Sequence, residues 1–229
     1  MLKKAGKKGS NGVATQAVTR IVGALHNAVQ IPIALSVLAS PVFIANPVYA
    51  ITNLSTIMLT LSGGYFLHDL VFCIIRFELE GPFYTMHALF CCIAYTYGLQ
   101  SGFLHYYGAA FLMWEASTPF VHIRWFMFKL GAENTTAYVL NGVAMIVAFF
   151  SARIVWGYLS TYRLILNMQY ELANPRPGSF PVTAVYIYMV AAMSLNSLNT
   201  YWFSKMVQKV GQVVFGGKKG SEVSHEKDE

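Results

Sequence analysis

The strongest constraint on this chain is the way its few charges punctuate long apolar runs. Six mainly apolar stretches, at about 17–40, 54–76, 84–100, 103–128, 136–165 and 181–205, are separated by shorter polar segments. An α-helix needs roughly 20 such residues to cross the hydrocarbon core of a bilayer. Of the 229 residues only 11% are charged, while 55% are hydrophobic and 15% aromatic; soluble domains carry roughly 25% charged residues. The chain therefore reads as all-α, a polytopic membrane protein with one six-helix domain at 17–210. A basic tail at 1–16 is expected to be mobile, and a polar tail at 211–229 to lie in the cytoplasm.

The net charge of +6 sits mainly in Lys3, Lys4, Lys7 and Lys8 and in Lys205, Lys209, Lys218, Lys219 and Lys227. A nucleic-acid surface sets such charge beside exposed aromatics. Here it flanks apolar spans, so topology and anionic headgroups account for it, and no nucleic-acid partner is expected. With a cytoplasmic N-terminus and an even number of spans, every Lys and Arg except Arg153, Arg163 and Arg176 falls on the inner side. That asymmetry predicts cytoplasmic termini at both ends. No secretory signal is visible, and the first span is expected to serve as the targeting signal. Cys73, Cys91 and Cys92 lie inside apolar runs without paired loop spacing, which favours neither a disulfide framework nor a zinc site. Cys91 and Cys92 read as core residues, with palmitoylation as the other reading.

The fourth stretch, His105 to Gly131, breaks the apolar pattern with Glu115, Pro119, His122 and Arg124. An ionisable group at bilayer depth costs several kcal/mol unless something compensates it. Glu115, Pro119 and His122 are spaced i, i+4, i+7 and share a helical face. Pro119 frees the Glu115 carbonyl from its helical bond and can kink the span. Arg153, midway along the fifth stretch, is the natural partner of Glu115; if the two pair, Glu115 is a brace rather than a base.

The topology also assigns depth. His26, His87 and Asn141 fall in the inner half, and His68, Asp69, the Glu115 to Arg124 segment, Asn196 and Asn199 fall at the middle or inner half. Such convergence predicts a polar cavity open toward the cytoplasm, lined by His68, Asp69, His87, Glu115 and His122, with His26, Arg124, Asn141, Asn196 and Asn199 as further lining residues. Each has a structural reading beside it. His26 reads as a hydrogen-bonded packing residue, and one of His68 and Asp69 can pair inside the bundle while the other faces the cavity, because neighbours diverge by about 100°. His87 can snorkel to the interface, and His122 and Arg124 can meet headgroup phosphates. His105, Tyr106 and Tyr107 read as interfacial. Gly131 is placed as a helix C-cap and Asn134 as the next N-cap. No phosphate-cradling loop, nucleophile elbow or pair of histidines at i, i+4 occurs, so neither a metal nor a bound cofactor is expected.

The segment Glu115-Ala-Ser-Thr-Pro-Phe-Val-His-Ile-Arg-Trp125, with Tyr138-Val-Leu-Asn-Gly142 and Phe149-Phe-Ser-Ala-Arg153, resembles the TLC-domain family, which includes the translocating-chain-associating protein and the ceramide synthases. Gly64-Tyr-Phe-Leu-His-Asp69 and Arg20 to His26 are similar to two further segments of that family. The resemblance covers 18–165 clearly and 166–205 loosely, and is closest to the branch consisting of a TLC domain alone. It implies a six-helix bundle or barrel in an internal membrane, the endoplasmic reticulum or another, concerned with lipids. Ceramide synthases carry adjacent histidines where this chain has Met86-His87, and their longer histidine- and aspartate-rich motif is absent here. Three readings stand. One is a protein that binds or regulates membrane lipids. Another is an acyltransferase with acyl-CoA as co-substrate, His87 as base and Glu115 or Asp69 orienting it. The last is a structural subunit of a larger membrane assembly, with Pro119 and Arg153 as structural residues.

Overall fold

The computed structural model of the protein describes residues 2–175 and 178–215, with side chains placed over 12–175 and 178–212. Helix α1 is Leu2–Leu38, so its backbone continues through most of the segment read as a basic tail. The tail beyond Phe215 lies outside the described residues. A short helix α2, Pro41–Ala45, follows. Helix α3, Asn53–Ile75, opens on a reciprocal capping box in which Thr52 and Ser55 each accept from the other's backbone N–H, satisfying two of the orphan donors of a helix start.

The third stretch is longer than its apolar core suggested. Helix α4 runs Phe77–Ser101, broken at Gly81, whose φ of 75° and ψ of 175° lie outside helical space. Glycine tolerates that conformation without a Cβ penalty, and Pro82 follows, where a missing N–H is harmless at a helix start. The fourth stretch is not one helix. It divides into α5 (His105–Leu112), a 3₁₀ segment (Met113–Ser117) and α6 (Thr118–Lys129). The fifth divides too, into α7 (Thr136–Phe149), a π-helical segment (Phe150–Val155) and α8 (Trp156–Ala173). It extends past the expected end at 165 and shortens the following loop. Gly131 has the positive φ of 71° expected of it, whereas the cap of α7 is Thr135, whose hydroxyl accepts from Tyr138 N–H at 3.2 Å, and not Asn134. Helix α9 is Val182–Phe215.

Among the described residues, four segments are long and apolar enough to cross a membrane: Gly12–Leu38, Asn53–Ile75, Thr136–Ala173 and Val182–Gln212. Helix α4 and the interrupted α5–α6 unit complete the bundle with them. The outer surface is apolar, with Leu25, Leu61, Val71, Leu140, Val147, Tyr186 and Val190 all exposed. A water-soluble helix would put polar groups there, so the surface suits lipid. Inside, Phe43, Met58, Leu59, Phe66, Tyr95, Leu112 and Trp114 form one packed cluster, and Leu104, Tyr107, Leu164, Phe180 and Tyr188 another. His105 and Tyr107 correct an expectation. At 2% and 1% exposure they are core residues rather than interfacial ones, because Ser55 reaches His105 Nδ1 at 2.8 Å and Asn167 donates to the Tyr107 hydroxyl.

Candidate functional site

The two interrupted helices meet at one polar knot. Pro119 has no N–H to return to Glu115, and the chain before it tightens into 3₁₀ form, with Thr118 N–H donating to the Glu115 carbonyl three residues back. Asn27 of α1 also donates to that carbonyl, at 3.5 Å. Opposite, the π segment contains Arg153, and Trp156 N–H reaches back five residues to the Ser151 carbonyl. Inserting a residue into the ladder this way turns the side chains before it relative to those after it.

Arg153 spends its guanidinium on this knot. Nη2 pairs with Glu115 Oε1 at 3.1 Å and donates to Thr118 Oγ1 at 2.9 Å; Nε donates to Ser117 Oγ at 3.0 Å, and Nη1 to Asn199 Oδ1 at 3.1 Å. Thr118 in turn donates to Glu115 Oε2 at 2.7 Å. Both charges are buried, Glu115 at 9% and Arg153 at 6% exposure. A buried ion pair holds only when the remaining lone pairs and protons are bonded, and Thr118 and Ser117 supply those bonds. The sequence reading found Glu115, Arg153, Pro119 and Asn199 but passed over Ser117 and Thr118. Their signal was position: hydroxyls two and three residues after a mid-span carboxylate.

Beside the knot lies a small, narrow, apolar cavity of about 30 Å³. Its walls come from α3 (Leu59, Phe66), α5 and the 3₁₀ segment (Leu104, Gly108, Phe111, Trp114) and α9 (Tyr188, Ala191, Ala192, Leu195), with His87, Cys91, Ala94 and Tyr95 from α4. Glu115 and His87 share this wall. His87 Nε2 is 3.7 Å from Cys91 Sγ, its ring meets Trp202 edge-on at 5.6 Å, and its Nδ1 is buried without a hydrogen-bond partner.

The other candidates are not among the residues that line this cavity. His68 is exposed on α3, and Asp69 is half-buried beside it. His26 stacks on Tyr65 with centroids 3.9 Å apart and reaches Ser62 at 3.3 Å, a packing role. His122 leans on Gly23 of α1, where a Cβ would stand 3.0 Å from its ring. The Arg124 guanidinium lies 3.9 Å over the Tyr138 ring and donates to the Tyr138 carbonyl at 3.3 Å. Asn141 donates to the Phe120 carbonyl at 3.0 Å, fastening α7 to α6. Asn196 donates to Thr161 at 2.8 Å, joining α9 to α8.

Fold and site together define a helical membrane-protein bundle clamped by an internal ion pair beside an apolar cavity. The chain belongs to the TLC-domain family: the TLC domain matches residues 17–208. An uncharacterized TLC domain-containing protein of Schizosaccharomyces pombe is 32% identical over 161 residues, covering 70% of this chain and 53% of that one. Topoisomerase I damage affected protein 4 of Saccharomyces cerevisiae is 31% identical over 159 residues, covering 67% and 55%. Human TLC domain-containing protein 4 is 29% identical over 164 residues, covering 71% and 61%. The chain thus spans little more than half the length of the first two relatives. No solved structure matches it significantly.

Proposed function

We propose that this protein binds the acyl chain of a membrane lipid in the cavity beside Glu115, as an integral protein of the endoplasmic reticulum or another internal membrane. In this reading the bundle makes six crossings with both termini cytoplasmic, α4 and the α5–α6 unit being the two crossings beyond the long apolar helices. The observation that carries it is the cavity itself. At about 30 Å³ it is small and narrow, which suits part of one flexible chain rather than a bulky ligand, and its walls are apolar apart from His87, Glu115 and the rings of Tyr95, Trp114 and Tyr188. A bracing role alone accounts for the ion pair and leaves this cavity without a purpose.

Acyl transfer from acyl-CoA is the second reading, favoured by a histidine with one free ring nitrogen on the cavity wall. Against it, Glu115 is committed to Arg153 and Thr118, and His87 Nδ1 has no hydrogen-bond partner, so no carboxylate orients the ring. Other membrane subunits remain compatible partners of either reading.

The test is lipid analysis of protein purified into nanodiscs. A retained chain-bearing lipid is expected in the wild type, lost in Ala191→Phe, which fills the cavity, and kept in Val190→Phe, which alters the exposed neighbour. Absence of any retained lipid from the wild type, or equal retention in both variants, removes the proposal. Product from acyl-CoA that disappears in His87→Ala favours transfer over binding.

A further inference from the structure

The cavity has an unusual charge condition. Glu115 is the one lining residue with a formal charge, and that charge is already matched by Arg153 behind it at 3.1 Å. The guanidinium gives four hydrogen bonds to Ser117, Asn199, Glu115 and Thr118. An incoming anion or cation would therefore enter an apolar space with no countercharge available, at a cost of several kcal/mol. The closed end of the cavity selects for an uncharged occupant.

His87 adds a polar preference. The histidine faces Cys91 through Nε2. A thiol offers a weak S–H donor, and with Nε2 accepting that hydrogen, the neutral ring carries its own on Nδ1. This nitrogen is buried and meets no acceptor among the described residues. A buried donor without a partner is costly, and His87 stands on the wall of the cavity. A carbonyl oxygen at that position satisfies the donor; a plain hydrocarbon does not.

We infer that the cavity selects an uncharged, carbonyl-bearing lipid, an ester or amide, whose carbonyl oxygen accepts a hydrogen bond from His87 Nδ1 while its chain lies between α4, α5 and α9. The inference rests on the lipid-binding reading and narrows it to a substrate class. Fatty-acid anions and long-chain ammonium ions are excluded by the matched Glu115–Arg153 pair, and hydrocarbon without a carbonyl is disfavoured by His87.

The test uses four probes of one chain length, at equal mole fraction in nanodiscs carrying the full chain: methyl hexadecanoate, hexadecane, hexadecanoate at pH 9 and hexadecylamine at pH 7. Each competes with radiolabelled methyl hexadecanoate at the same pH. The ester is expected to bind about tenfold more tightly than the alkane, the factor one well-placed hydrogen bond supplies, and more than about a hundredfold more tightly than either ion. In His87→Phe the ester should lose its advantage over the alkane while both still bind; His87→Gln, which keeps an N–H donor, should retain part of it and guards against a folding defect in the first variant. Glu115→Gln leaves the Arg153 cation unmatched and should raise the affinity for hexadecanoate relative to the ester. An ester that binds no better than the alkane in the wild type, an ion that binds as well as the ester, or an ester preference that survives in His87→Phe overturns the inference. Binding of all four without rank leaves the cavity a lipid site and removes only its selectivity; binding of none removes the lipid-site reading itself.

Discussion

Two helices of this bundle are interrupted at the same depth, and in opposite senses. Between α5 and α6 the chain is overwound: Met113–Ser117 tightens into 3₁₀ form ahead of Pro119. Between α7 and α8 it is underwound: Phe150–Val155 opens into π form with neither proline nor glycine in it. The first break turns the Glu115 carbonyl to Thr118 N–H and Asn27 and brings Ser117, Thr118 and the carboxylate to one side. The second brings Arg153 to meet them. An uninterrupted pair of helices would have to place four polar side chains on matching faces by spacing alone. Here local changes of winding place them, and the ion pair they form compensates for the irregular backbone.

Arg153→Met breaks the comparison most severely. It leaves Glu115 buried without its partner and is expected to cost about 3–5 kcal/mol, read as a fall in the thermal unfolding midpoint in nanodiscs. The Arg153→Met, Glu115→Leu double variant should recover most of that loss, and equal losses in single and double variants would show that the pair does not couple. Thr118→Val comes next. It removes a hydroxyl that bonds both charges and should cost about 1.5–3 kcal/mol, measurable in the same assay. Gly157→Ala probes the packing between the two breaks, since its Cβ would stand 2.4 Å from Trp114 Nε1. Overpacking of this kind costs about 1–3 kcal/mol, and combining it with Trp114→Leu should relieve part of the penalty. Pro119→Ala is the mildest. Proline in the first turn of α6 replaces an N–H that is an orphan of the helix start, so a loss below about 1 kcal/mol is expected. A large loss there would mean that the 3₁₀ segment depends on the proline ring rather than on the knot.

These two breaks also mark where the sequence was readable. Apolar run length located every long helix, and Pro119 announced a disturbance beside Glu115. Glu115 and Arg153, as the mid-span charges of opposite sign, were recognisable as partners before their geometry was known. The π segment was invisible, because Phe-Ser-Ala-Arg-Ile-Val holds no residue that breaks a helix; its cause is tertiary, the demand of the knot for Arg153. Burial of His105 was unreadable for a similar reason. A histidine at the end of an apolar run looks interfacial, and the hydroxyl that receives it, Ser55, lies in another helix fifty residues away. The place of Arg124 over the Tyr138 ring was equally unreadable. His68, Asp69 and His122 do not line the cavity that His87 lines, and the direction in which a side chain leaves its helix is what a linear reading of several helices cannot set.

Cys91 gives the cavity a built-in chemical clock. Its sulfur lies on the cavity wall, whereas Cys73 and Cys92, also buried, are not part of that wall. In a chain where those two are replaced by alanine, alkylation by a small membrane-permeant maleimide depends on whether the space beside Cys91 is vacant. A buried thiol reacts slowly in any case, and the extent of labelling then reports the share of time the cavity stands vacant, lower when it is filled and higher when it is emptied. A single thiol thus converts the question of what occupies the bundle into one of how often it is there.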